Sequence, residues 1–63
     1  MRVTDARNLR TGEKVKTKYG YEVEVVSLDE HIPFNKTTPT IYVTCKETGG
    51  YLRKFSHKEL IKN

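Results

Sequence analysis

Leu9-Arg10-Thr11-Gly12-Glu13-Lys14-Val15-Lys16-Thr17-Lys18-Tyr19-Gly20-Tyr21-Glu22-Val23-Glu24-Val25-Val26 is the stretch that decides the fold. Val15 and Thr17 alternate with Lys14, Lys16 and Lys18. Beyond Gly20, Tyr21, Val23 and Val25 alternate with Glu22 and Glu24. A period of two on both sides of a glycine predicts two half-buried strands joined by a tight turn. A three-residue loop Lys18-Tyr19-Gly20, with Gly20 left-handed in a G1 bulge, sets Thr17 opposite Tyr21, Lys16 opposite Glu22, Val15 opposite Val23 and Lys14 opposite Glu24. A two-residue Tyr19-Gly20 loop would instead set Val15 against Glu24 and Lys16 against Val23. The first register joins apolar to apolar and each lysine to a glutamate, so patterning selects it. Lys14 and Lys16 are then neutralised locally, and the most obvious basic stripe loses force as evidence of a binding surface.

Outward from this hairpin, the size of the chain sets limits. With 63 residues and 35% hydrophobic content, there is room for one domain, spanning residues 1–63, with a thin core. A chain near this length buries only about 60% of its unfolded surface. Cys45 is the only cysteine, so an internal disulfide is impossible. Within Ile41-Tyr42-Val43-Thr44-Cys45 it reads as a small buried hydrophobe, which fits a reducing cytoplasm. No apolar run approaches the ~20 residues of a membrane span, and Met1-Arg2 leads into Asp5 and Asn8, not a secretory h-region. A cytoplasmic protein with no membrane partner is the expectation. The net charge of +4 is uneven: basic residues dominate 1–20 and 46–63, and acidic residues dominate 21–45. Basic ends around an acidic middle fit a nucleic-acid partner, and equally fit strands that neutralise one another.

Upstream of the hairpin, Thr4 to Leu9 reads as a single helical turn capped by Thr4 or Asp5, or as an irregular lead-in, with Leu9 anchoring it to the core. Downstream, Leu28 to Pro39 reads as a long connection, since Pro33 and Pro39 break a strand ladder. Ile32 and Phe34 within it are expected to fold back onto the body. A third strand follows from Thr40 to Cys45, with Ile41, Val43 and Cys45 on one face. Lys46 to Gly50 forms a second turn, and Tyr51 to Phe55 a fourth strand. Its inward face is ambiguous, because Leu52 and Phe55 have opposite parity. Ser56-His57-Lys58-Glu59 fits a capping box, and Phe55 with Leu60 fits the accompanying staple. One helical turn is predicted there, with Ile61 in a brief closing strand.

This order of parts resembles the SH3-like small barrels, in particular KOW-type and related short bacterial and phage barrel proteins. The resemblance runs from Leu9 to Ile61 and rests on Leu9, Gly12, Val15, Gly20, Val25 and Leu60, which match barrel-forming positions. It implies an all-β small barrel of about five strands with one or two short helical turns. The 28–39 loop and the capped exit turn depart from the compact KOW pattern.

No catalytic constellation is visible. His31 and His57 lie far apart in sequence, one in the predicted loop and the other in a cap turn expected to be exposed. No nucleophile motif marks Ser27 or Ser56. Cys45, His31 and His57 lack paired metal-ligand spacing, and Gly49-Gly50 reads as a hairpin turn, not a phosphate-binding loop. No enzyme activity, cofactor or metal is therefore expected. Tyr42 has outward parity, and Tyr51 lies near Arg53 and Lys54, which lack nearby acids in sequence. Outward aromatics beside cations grip single-stranded nucleic acid by stacking and phosphate contact. The expected function is thus a non-enzymatic binding module that contacts RNA, DNA or a ribonucleoprotein through Tyr42, Tyr51, Arg53 and Lys54, with Lys36 from the long loop. The alternative is a protein-interaction module using the 28–39 loop, with Ile32 and Phe34, and a sheet edge.

Overall fold

The computed structural model describes residues 1–61. Helix α1 (Val3–Arg7) precedes strands β1 (Lys14–Thr17), β2 (Glu22–His31), β3 (Thr40–Lys46) and β4 (Leu52–Ser56). A 3₁₀ turn (His57–Glu59) then leads into β5 (Leu60–Ile61). The strands form one antiparallel sheet in the order β4-β3-β2-β1-β5.

The first hairpin adopts the register predicted for it. Lys14 faces Glu24, Val15 faces Val23 and Lys16 faces Glu22. Gly20 has φ +96°, and its N–H donates to the Thr17 carbonyl at 3.0 Å. Thr17 N–H donates to the Tyr21 carbonyl at 2.8 Å and closes the three-residue loop. Val15 and Val23 are buried while the lysines stay in water, so a slip by one residue would invert both faces.

Strand β2 runs past Leu28, where the sequence suggests a loop. The pairing with β3 shifts register between Val25 and Ser27, which leaves Val26 as the extra residue of a bulge. Val25 stands opposite Cys45, and Leu28 opposite Val43, on the same inward face. The inward residues Val23 and Val25 have odd numbers and Leu28 an even one. A strict period of two therefore breaks at Val26, whereas the strand absorbs the change and continues. The connecting loop shrinks to residues 32–39, between the strand ends, where its two prolines cost no ladder hydrogen bond.

Ala6, Leu9, Val15, Val23, Val25, Ile41, Val43, Cys45, Phe55 and Leu60 form the core. Helix α1 covers the inward face near β3 and is tied there by Arg7 Nε donating to Glu30 Oε1 at 2.8 Å. Its N-cap is Arg2, without a side-chain cap, in place of the Thr4 or Asp5 cap expected. Pairing settles the fourth strand: Phe55 lies opposite Val43 and points inward, while Leu52 is 63% exposed. Tyr51 precedes the strand and is not part of it.

Strands β4 and β5 are opposite edges of the sheet, yet only residues 57–59 separate them. A connection that short requires the sheet to curl until its edges approach. The ladder remains open, because β4 and β5 do not pair. Among the described residues the protein is thus mostly β, a curled five-stranded antiparallel sheet with one short helix and one 3₁₀ turn, and the sheet does not close on itself. The capping box at Ser56 and Glu59 is present. Its firm half is Glu59 Oε1, which accepts from Ser56 N–H at 3.1 Å.

Candidate functional site

The sheet distributes the residues proposed from sequence over four places. Tyr42 is half-buried on the outer face, in register with Asp29 and Ser56. Its ring centroid lies 6.5 Å from that of His31. Lys54 shares this face, with Nζ 4.0 Å from Asp29 Oδ2. Arg53 pairs with Cys45 and so points to the inward side at the rim of the core. Its guanidinium lies 5.8 Å from the centre of the Phe55 ring and 3.6 Å from Glu47 Oε1. Tyr51 sits in the β3–β4 turn, its ring packed near Gly49. Lys36 lies in the loop before β3, at the other end of that strand, roughly 20 Å from Tyr51 by strand rise. Tyr42 and Lys54 are therefore together, and the others are not. Arg53 and Lys54, which have no acid nearby in sequence, each gain one by folding.

The alternative residues have a different fate. Ile32 and Phe34 do not fold back onto the body: Ile32 is 59% and Phe34 98% exposed. They stand where the β2–β3 hairpin extends beyond its neighbours. The last β3–β4 pair is Tyr42 with Ser56, and β1 reaches only Glu24 of β2. The His31–Thr40 end of the hairpin thus has no strand on either side. Lys36 N–H donates to the Pro33 carbonyl at 3.1 Å and folds the loop into a turn.

His57 departs from its predicted exposure. It is buried, and its Nδ1 accepts the Ile41 N–H at 3.1 Å. The reason lies in the sheet. Strand β4 ends at Ser56, so the N–H of Ile41 has no carbonyl beside it, and a buried N–H needs a partner. The imidazole supplies the missing acceptor. Burial, with the charge of Lys58 adding to it, pushes the His57 pKa down from 6.5. No local signal marks this burial, because the N–H that recruits the ring lies 16 residues away in the chain.

Beside His57 a groove of about 300 Å³ opens between the hairpin loop and the 3₁₀ turn, lined also by Pro33, Lys36, Thr38, Thr40 and Lys58. Among the described residues that line it there is no carboxylate. Depressions elsewhere mix charges: one has Asp5 and Glu13 beside Lys14, another Glu22, Glu24 and Glu47 beside Lys14 and Lys46. Sequence reasoning found Lys36 but not the groove, whose walls are about 20 residues apart in the chain.

Cys45 is fully buried, and burial with the nearby Glu47 raises its thiol pKa to about 11, which suppresses thiolate chemistry. Among the described residues no three His, Cys, Asp or Glu side chains gather as a metal site, and no helix is long and apolar enough to cross a membrane. Compared with known proteins, the chain matches no family model, no curated protein and no solved structure.

Proposed function

We propose that this chain is a non-enzymatic binding module that docks onto another protein through the free end of the β2–β3 hairpin. The observation that carries this reading is Phe34, 98% exposed beside the largely exposed Ile32. Burying a side chain of this size contributes about 1.5–3 kcal/mol. A chain with so thin a core nevertheless leaves both in water, at a point where no strand flanks them. Aromatic anchors that fill a partner's pocket dominate protein interfaces. Residues 32–39 contain no acid and include Lys36, so the complementary partner offers an apolar pocket with an acidic rim. Dispersal of Tyr42, Tyr51, Arg53 and Lys54 is what ranks this reading above a nucleic-acid contact.

The fold reading that accompanies it is an SH3-like small barrel. Its support is the return of the chain from β4 through a single 3₁₀ turn to β5 beside β1. The lone buried thiol suits a reducing, cytoplasmic setting.

The test uses immobilised wild type and the Ile32→Ser/Phe34→Ser double variant, each exposed to nuclease-treated cell lysate at low and high salt. The expected result is a protein retained by wild type at both salt concentrations and lost by the variant. Equal retention by both chains, no protein retained by wild type, or capture that disappears at high salt overturns the reading.

A further inference from the structure

We propose that the groove between the hairpin loop and the 3₁₀ turn binds a dianionic phosphate, because Lys36, Lys58, Thr38, Thr40 and His57 bring hydrogen-bond donors of positive or neutral charge, and no carboxylate, to one concave site. This inference goes beyond the docking reading, and its test uses small anions, so the two fail separately.

The argument starts at His57. Its Nδ1 accepts from Ile41 N–H at 3.1 Å, so the neutral ring carries its one proton on Nε2. The Nδ1 bond is the hydrogen bond that holds the His57 side chain to the sheet. The groove is the space that His57 lines. The ring that His57 brings to the groove is thus a neutral, proton-bearing imidazole held by the sheet behind it.

The walls add to it. Lys36 and Lys58 are exposed, and neither forms an ion pair among the described residues. Arg7, Arg53 and Lys54, by contrast, each have a carboxylate within 4.0 Å. Thr38 and Thr40 supply hydroxyls on the loop side. Two ammoniums and three neutral donors exceed what the two oxygens of a carboxylate accept, and suit a phosphate with three or more strong acceptor oxygens. Pro33, Pro39 and the Lys36–Pro33 turn hold the loop wall in shape, which reduces the ordering cost of binding. A monoester phosphate has its second pKa near 6. At neutral pH it is dianionic while a neutral His57 still donates from Nε2.

The experiment is an amide NMR titration of the full chain at pH 7.5 and constant ionic strength. Its arms are inorganic phosphate, O-phosphoserine and dimethyl phosphate. Saturable shifts are expected at Thr38, Thr40 and Lys58 with the first two anions. Tighter binding of inorganic phosphate assigns the site to the free ion, and tighter binding of phosphoserine to an ester. In Lys36→Ala/Lys58→Ala, binding should weaken at least ten-fold while the remaining amide signals keep their positions, which also checks the fold. Shifts that do not saturate, or equal affinity in the double variant, overturn the proposal. Equal binding of the singly charged dimethyl phosphate overturns the dianion assignment.

Discussion

His57 serves the fold through an acceptor and the groove through a donor, and the first role makes stability depend on pH. A ring that accepts the Ile41 N–H at Nδ1 cannot be protonated there without losing the bond. Its folded pKa lies below 6.5, so the unfolded chain takes up the proton more readily. The contribution is complete above pH 6.5 and is lost as pH falls below that value toward the folded pKa. Urea midpoints should therefore drop between pH 7.5 and 5.5. His57→Asn, whose amide oxygen can replace Nδ1 as acceptor, should flatten that dependence, and an equally steep drop in the variant would assign it to another group. Glu59 acts in a separate window. Hydrogen bonds from Ser56 N–H, Tyr19 OH and the Ser56 hydroxyl hold its pKa below 4.5. Its contribution is present above pH 4.5 and is lost as pH falls through its folded value.

Among the elements, the 3₁₀ turn is held more by Glu59 than by its N-cap. The Glu59 carboxylate takes the Ser56 N–H at 3.1 Å and the Tyr19 hydroxyl at 3.1 Å, and its backbone carbonyl accepts Lys18 N–H at 2.8 Å. The Ser56 hydroxyl contributes one longer contact at 3.4 Å, made to the same carboxylate. Glu59→Ala should cost about 1 kcal/mol, the usual scale of a lost cap, and Ser56→Ala clearly less; denaturation midpoints of the two variants give the order. Strand β4 offers a second comparison. Phe55→Ala should cost about 3–5 kcal/mol as a large-to-small change in a packed core. Leu52→Ala should stay within about 0.5 kcal/mol as a surface change. Similar losses at both positions would contradict the inward assignment of Phe55.

For the molecule as a whole, a net charge of +4 does not amount to a basic face. Arg7, Arg53 and Lys54 lie beside Glu30, Glu47 and Asp29, and the Lys14–Lys16 run stands opposite Glu22 and Glu24. Oligonucleotide affinity is then expected to remain in the non-specific range, with Kd about 10⁻⁴–10⁻⁶ M, and to weaken with salt. Arg53→Ala/Lys54→Ala should leave it nearly unchanged. Fluorescence anisotropy with labelled single-stranded RNA and DNA measures both, and a large loss in the double variant would restore the nucleic-acid surface read from sequence.

Local pattern by itself determined the first hairpin and its register, the inward face of β3, the Ser56–Glu59 turn and the burial of Cys45. In each case a period of two, a glycine or a cap signal acts over a few residues, and neighbours in the chain are neighbours in space. Tertiary structure decided the length of β2, because a bulge at Val26 resets the period that sequence reading depends on. It decided which face each of Arg53 and Lys54 takes and that both lie near acids, since pairing with β3 turns Phe55 inward and brings Glu47 and Asp29 within 4.0 Å. It also decided the fate of Phe34 and His57. An apolar residue in a loop is buried only if some surface lies within its reach, and the hairpin end extends past β1 and β4. A histidine in a turn is exposed unless an unpaired N–H needs it, and the unpaired N–H of Ile41 exists only because β4 stops one residue too soon.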